Sequence, residues 1–280
     1  MILNLDKDFK PKQGEEIQFE NFIFSGGEPH IKINPNFNVS ESITITHRLN
    51  SFNDLGLLCL AVDALKRMGA KLENLIIPYF PAARQDRVMI KGEPLSVKVY
   101  ADIINTFNFK KVVVFDAHSE VTLAVLNNCE VITNHKFIQQ VIQAIGSEVL
   151  LISPDGGALK KIYKVSEFLG GVEVVECSKS RNVKTGKLTG FKVYADDLQG
   201  KDCLIVDDIC DGGGTFIGLA EELKKKHAGK LYLAVSHGIF SKGFHDLKCF
   251  ERIFTTDSIK NIESDCLTQI KINNGLLSQH

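Results

Sequence analysis

The sequence lacks an excess of charge of either sign: 33 Lys and Arg stand against 34 Asp and Glu, a net charge of −1 over 280 residues. A protein that binds nucleic acid by neutralising many phosphates needs surplus cations, so that class is excluded. No apolar run approaches the eighteen or so residues that would span a bilayer, and no membrane role is expected. The opening residues, Met1 to Asp8, lack the basic start and long apolar stretch of a signal peptide. Cysteine is present but never in a CxxC pair. The seven cysteines (Cys59, Cys129, Cys177, Cys203, Cys210, Cys249 and Cys266) are odd in number and widely spaced. That argues against a zinc site and a disulfide framework, and makes the cytoplasm the expected compartment. Low-complexity segments and short-period repeats are also missing.

What is present is 44% hydrophobic and 24% charged residues, in a length suited to one large or two medium domains. Short apolar runs rich in β-branched residues alternate with helical periodicity. The runs predict strands over Asn74–Phe80, Lys111–Asp116, Glu148–Ser153, Val172–Cys177, Asp202–Asp207 and Leu231–Ser236, each apolar nearly throughout, as parallel strands covered on both faces must be. Helices are predicted over Asp54–Met68, Leu95–Phe107, Lys136–Ile145, Leu159–Phe168 and Thr215–His227. The alternation implies an α/β fold with parallel sheets. A break near Thr133–His135 divides it into two modest sheets, with domains at 1–133 and 134–264. The tail 265–280, with a strand over Leu267–Ile272, is a candidate to join the first domain. The first forty-five residues, poor in helix signals, read as an antiparallel or irregular flap.

The most informative segment is Leu204-Ile205-Val206-Asp207-Asp208-Ile209-Cys210-Asp211-Gly212-Gly213-Gly214-Thr215. An apolar strand runs into two carboxylates, a glycine turn and a hydroxyl, and a helix then begins. Glycines let backbone N–H groups close on phosphate oxygens, and the helix adds the positive end of its dipole. Asp207 and Asp208, at the strand's carboxyl end, are placed to accept hydrogen bonds from ribose hydroxyls. A plain βα connection can look similar; the ordered run of strand, acids, glycines and hydroxyl favours a phosphorylated sugar.

Other strands end in comparable loops, where ligands of α/β sheets sit. Arg84-Gln85-Asp86-Arg87 leaves a strand through Pro78-Tyr79-Phe80-Pro81; its guanidinium forks suit nucleotide phosphates and its amide a purine or ribose. Asp116-Ala117-His118 offers a histidine for Mg²⁺ or a phosphate oxygen. Ser153-Pro154-Asp155-Gly156-Gly157 offers an acid for a hydrated Mg²⁺. Lys179-Ser180-Arg181 opens a polar stretch to Thr189 that reads as a mobile loop, with two cations able to close over a triphosphate. Solvated loop charge is the alternative there. Lys224-Lys225-Lys226 reads as the wet end of a helix.

Together these blocks resemble the ribose-phosphate diphosphokinases (phosphoribosyl-diphosphate synthetases), from about Phe24 to Thr256, and in Gly92-Glu93-Pro94-Leu95-Ser96 the compact archaeal-type branch. Phe24-Ser25-Gly26-Gly27-Glu28 is similar to the family's adenine-contacting segment, and Arg84 and Gln85 fall in its ATP block. Asp116-Ala117-His118 matches its metal-binding Asp-x-His, and Asp155 matches the acid that touches Mg²⁺ and ribose. Lys179 and Arg181 fall in its catalytic loop, and Asp207 to Thr215 in its ribose-5-phosphate loop. The resemblance implies two tandem phosphoribosyltransferase-like domains, each a mostly parallel sheet flanked by helices, in a homodimer or higher homo-oligomer. It implies transfer of the β,γ-diphosphoryl group of MgATP to the C1 hydroxyl of ribose 5-phosphate, with release of AMP. It makes Lys179, Arg181 and His118 catalytic, Phe24, Glu28, Arg84 and Gln85 ATP-binding, and His118 and Asp155 metal ligands. Asp155, Asp207, Asp208, Asp211, Gly212, Gly213, Gly214 and Thr215 would bind the ribose phosphate.

The chain departs from the family in places. Gly26 stands where the family has Asp, and Val88-Met89-Ile90 replaces a charged stretch, which puts the longer enzymes' allosteric control in doubt. Gly212-Gly213 stands where members usually carry a side chain, often a Thr hydroxyl. Losing it removes a hydrogen bond of roughly 0.5–1.5 kcal/mol and clears space beside the phosphate. A ribose with a larger 5-substituent, such as ADP-ribose, therefore stays open as acceptor beside ribose 5-phosphate. A simple phosphoribosyltransferase would not need the Arg84-Gln85 block or the Lys179/Arg181 loop. A silent regulator would be expected to lose the loop cations or the metal residues, and these are present.

Overall fold

A computed structural model describes residues 1–181 and 188–278, apart from the side chains of residues 180, 181, 188 and 189. The chain divides into two compact units, Met1–Thr133 with Ile272–His280, and Asn134–Lys271.

In chain order the first unit contains β1 (Ile2–Asn4), β2 (Phe19–Ile23), β3 (Pro29–Ile33), β4 (Ser42–Thr46), α1 (Phe52–Arg67), β5 (Lys71–Ile77), α2 (Ser96–Asn105), β6 (Lys111–Phe115), α3 (Glu120–Val125) and β7 (Cys129–Ile132). A five-stranded sheet runs β1-β4-β5-β6-β7, and every pairing in it is parallel. The flap expected over the first forty-five residues is only partly present. β2 and β3 form an antiparallel hairpin, but β1 and β4 are strands of the main sheet. β1 is too short for periodicity to register. β4 reads as alternating Ile and Thr yet is buried from Ile43 to Thr46, because parallel strands are covered on both faces. Reciprocal bonds start α1: the Asp54 N–H donates to Ser51 Oγ at 3.2 Å, and Ser51 Oγ–H to Asp54 Oδ2 at 2.9 Å.

The second unit contains α4 (His135–Ile145), β8 (Leu150–Ser153), α5 (Leu159–Phe168), β9 (Val174–Arg181), β10 (Leu188–Val193), β11 (Cys203–Cys210), α6 (Gly214–Lys225), β12 (Leu231–Gly238), β13 (Arg252–Thr256) and β14 (Leu267–Ile270). A last short helix, α7 (Asn274–Leu277), returns to the first unit. The seven-stranded sheet runs β10-β9-β8-β11-β12-β13-β14. Only its edge pair, β9 with β10, is antiparallel. β14 pairs with β13, so the tail from 265 to 271 belongs to this sheet rather than to the first unit. The fold is thus α/β in two tandem parts, each a mostly parallel sheet flanked by helices.

Each unit has its own apolar core. Ile45, Leu58, Leu65, Leu75, Ile77 and Val114 belong to the first; Ile152, Ile205, Leu219, Leu223, Leu233 and Val235 belong to the second. A fully buried aliphatic side chain contributes about 1.5–3 kcal/mol. An exposed ion pair such as Lys98–Asp102 adds at most about 1 kcal/mol. The sheets are held by these cores, and loops at their carboxyl ends are left available for chemistry. Among the described residues no helix is long and apolar enough to cross a membrane.

Candidate active site

In the second unit, β11 carries its buried run Cys203–Val206 to the half-buried Asp207 and Asp208. The Asp208 N–H donates to Asp207 Oδ1 at 2.9 Å, fixing one acid on the other. Burial pushes the Asp207 carboxyl far above the ordinary carboxylate range, and the negative charges of Asp208 and Asp155 push it further. Lys161, one turn into α5, stands 3.8 Å from Asp208 Oδ2.

After the acids the chain turns through Gly212 and Gly213 into α6, whose first turn has no side-chain cap. Gly213 has φ +78°, a left-handed conformation that costs side-chain-bearing residues about 1–2 kcal/mol. A methyl group there would also lie 2.8 Å from Leu247 Cδ2. At Gly212 a methyl group would lie 3.4 Å from Lys242 Cδ and Cε, whereas at Gly214 it would meet nothing within 4 Å. The room expected beside the missing side chains is therefore filled at Gly213 by Leu247 and bordered at Gly212 by Lys242. Only Gly214 faces open space. The loop after β12 is tied to this turn: the Ser241 N–H donates to the Asp211 carbonyl at 3.1 Å, and Ser241 Oγ–H to Asp211 Oδ1 at 2.6 Å.

β8 brings Asp155 to the same sheet edge. Its Oδ1 accepts the N–H groups of Gly157 at 2.8 Å and Ala158 at 3.2 Å, and its Oδ2 forms an ion pair with Lys179. Burial alone would raise this carboxyl, but the Lys179 ammonium and the two N–H donors outweigh it and hold it below the usual range. Lys179 does not lie in a loop. It sits in β9, which continues antiparallel to β10 with Lys179 opposite Phe191. The polar stretch extends the hairpin because alternate residues pair across strands whatever their polarity. Of the expected loop, residues 182–187 and the side chain of Arg181 lie outside the described residues.

In the first unit, Arg84 and Gln85 are exposed on the turn after β5, and Asp86 is buried. Arg87, expected to help grip phosphate, donates through Nε to Asp86 Oδ1 at 3.0 Å. That bond, chiefly, holds the Asp86 carboxyl low, and nearby His118 adds to the effect. His118 is itself exposed, two residues beyond Asp116, which is buried at φ 41°. The strand exits are locked together by the Phe115 N–H donating to the Pro78 carbonyl at 3.0 Å. At the β2–β3 turn, the Phe24 N–H donates to the Glu28 carbonyl at 2.8 Å. The half-exposed Phe24 ring lies 4.8 Å from Phe22 and 5.5 Å from His30, centroid to centroid. A methyl group at Gly26 would sit 2.5 Å from Glu28 Oε2, so the Glu28 carboxylate occupies ground that an Asp at 26 would need.

Sequence reasoning missed Lys161, Ser241, Lys242 and Leu247. The only general pointer was that the loop after β12, which ends at Gly238, leaves the carboxyl edge where β11 delivers the acids; nothing in it singles out these residues. For Mg²⁺, Asp155 supplies an anionic oxygen donor, and the negative charges of Asp208 and Asp155 that act on Asp207 are what a nearby hard cation would relieve. Among the described residues no three His, Cys, Asp or Glu side chains form a metal cage by themselves. Mg²⁺ needs none, since it keeps several waters and takes one or two carboxylates plus phosphates. The residues fit the ion.

Two successive mostly parallel sheets, the second carrying a glycine turn that opens a helix beside paired acids, define a protein of the phosphoribosyltransferase-like class. Residues 14–107 match the N-terminal domain of ribose phosphate pyrophosphokinase, and residues 126–269 the phosphoribosyl transferase domain. The ribose-phosphate pyrophosphokinase of Thermococcus kodakarensis is 32% identical over 221 residues, covering 79% of this chain and 77% of that one. That of Mycoplasma pneumoniae is 29% identical over 262 residues, 89% of this chain and 78% of its own. The crystal structure of phosphoribosylpyrophosphate synthetase from Mycobacterium smegmatis shares the fold, with a TM-score of 0.79 and 24% identity over 92% of this chain and 87% of that one. The chain belongs to the ribose-phosphate pyrophosphokinase family and is an enzyme of that class.

Proposed function

We propose that the enzyme transfers the β,γ-diphosphoryl group of MgATP to the C1 hydroxyl of ribose 5-phosphate, giving phosphoribosyl diphosphate and AMP. The observation that carries the reading is the uncapped start of α6 beside the Asp207–Asp208 pair. Backbone N–H groups from Asp211 to Thr215 hold the 5-phosphate, and Asp207 and Asp208 accept from the ribose hydroxyls. The C1 oxygen attacks the β-phosphorus in line, the bond to the α–β bridging oxygen breaks, and AMP leaves. Lys179, with Arg181, stabilises charge on the transferring group; Lys179 is also paired with Asp155, which ties it to the acceptor side of the site. Such catalysis is mostly positioning and electrostatics. On the first unit, Phe24, Glu28, Arg84 and Gln85 hold the nucleotide. His118 and Asp155 would each offer Mg²⁺ a donor, and the ion would supply neutralisation of phosphate charge.

A second acceptor reading rests on the open space at Gly214: a ribose with a larger 5-substituent, such as ADP-ribose, undergoes the same transfer. AMP release measured with MgATP and each acceptor in turn decides. Release with ribose 5-phosphate supports the first reading, and no release with ADP-ribose ends the second. Assembly into a homodimer or larger homo-oligomer belongs to the same proposal, and light scattering at assay concentration checks it.

A further inference from the structure

We propose that Lys242 is an acceptor-binding residue that reaches across Gly212 to the phosphate on C5 of the ribose, whether that phosphate is terminal or esterified further. The inference rests on the phosphosugar reading of the Asp207–Thr215 loop. Two hydrogen bonds from Ser241 to Asp211 fix the register of the neighbouring strand exit against the glycine turn. Lys242 follows directly, and its Cδ and Cε lie 3.4 Å from where a Gly212 methyl would stand. The alkyl chain thus runs alongside the loop, at van der Waals distance from where a Gly212 methyl would stand. Among the described residues its ammonium has no ion-pair or hydrogen-bond partner, while Lys161 and Lys179 each face a carboxylate. Lys242 is exposed, so its ammonium, beside an anion cradle and without a protein counter-charge, is available to the ligand's charge.

An ammonium is a compact donor well suited to phosphate. Here it replaces a neutral hydroxyl on the loop with a charged group beside it, and charge-assisted bonds are the stronger kind. The shared chemistry is the C5 phosphate, so ribose 5-phosphate and ADP-ribose are the two arms of the test.

The experiment compares wild type, Lys242→Met and Lys242→Arg. Methionine keeps the alkyl contact with Gly212 and removes the charge; arginine restores it. Calorimetry measures binding of ribose 5-phosphate and of ADP-ribose to each protein, and AMP release gives kcat and both KM values. For whichever acceptor binds wild type, Lys242→Met weakens binding about tenfold or more. Its KM for ATP and its kcat stay within about twofold, and Lys242→Arg recovers most of the loss. Acceptor affinity unchanged in Lys242→Met overturns the assignment, as does a loss confined to ATP. Acceptor binding by wild type without AMP release sinks the proposed reaction and leaves the Lys242 assignment standing on its own binding data.

Discussion

The glycine loop of the second unit, proposed to bind the acceptor, and the segments of the first unit proposed to bind the nucleotide are built in opposite ways. From Asp207 to Gly213 the groups that would meet substrate are backbone N–H groups and half-buried acids, fixed by a buried strand, a left-handed glycine and a neighbouring loop. On the first unit the corresponding groups, Arg84, Gln85 and His118, are exposed side chains on turns, and Phe24 is half-exposed on a hairpin. Backbone donors cost little entropy to align, because the fold has already ordered them. Long exposed side chains lose rotamer freedom when they bind, about 0.5–1.5 kcal/mol each. On the proposed function, the sugar side would be the more preorganised and the nucleotide side the more dependent on its ligand.

The largest effect expected is at Lys179, the β9 cation paired with Asp155. Lys179→Ala lowers kcat by about two to three orders of magnitude, in line with removing one charge-stabilising donor, while MgATP still binds by calorimetry. Persisting turnover removes the catalytic role given to β9.

Gly213→Ala tests the rigid side of the comparison. Left-handed strain of about 1–2 kcal/mol adds to overpacking against Leu247 of about 1–3 kcal/mol, seen as a lower urea midpoint. Because the strain sits in the phosphate loop, acceptor affinity falls too. An unchanged midpoint would mean that this turn is not held as tightly as its geometry indicates.

Arg84→Ala tests the exposed side: KM for ATP rises about tenfold, the worth of one charge-assisted bond, and the unfolding midpoint falls less than in Gly213→Ala. A stability loss as large as that of Gly213→Ala would blur the contrast between the two regions.

The smallest effect is a pH slope. The folded Asp207 carboxyl is raised by burial and by the charges of Asp208 and Asp155. Its stabilising contribution is complete while it is protonated in both states. As pH climbs past the ordinary carboxylate value the unfolded chain ionises first, and stability falls until the raised folded value is passed. Ligand-free wild type should thus lose a few degrees of Tm between about pH 5 and pH 8. Asp207→Asn should lose less, and Mg²⁺ should flatten the wild-type slope. Parallel slopes with and without the substitution would contradict the strained acid pair.

The same contrast explains what the sequence could tell. The central strands and long helices were legible because burial on both faces, or on one stripe, leaves an apolar signature: the expected Leu159–Phe168 coincides with α5. The expected Val172–Cys177 falls on the first half of β9, but β1, β10 and the extension of β9 beyond Cys177 were not legible. The first is short, and the others are held by edge pairing. The Asp207–Thr215 motif was readable because backbone chemistry forces glycine and acids into a fixed order. Lys242 and Leu247 were not, since their role comes from β12 delivering its loop beside Gly212 and Gly213, a proximity no spacing encodes. The glycines looked like cleared space for the same reason: the sequence shows a missing side chain but not the neighbour that fills the gap.

The account stands most directly on the fate of the β-phosphate. Incubation of the enzyme with ATP labelled at the β position, Mg²⁺ and ribose 5-phosphate should place the label on the sugar, in a 1-diphosphate, with unlabelled AMP as the only nucleotide product. Label recovered in ADP, or no transfer to any C1-hydroxyl acceptor, would contradict it.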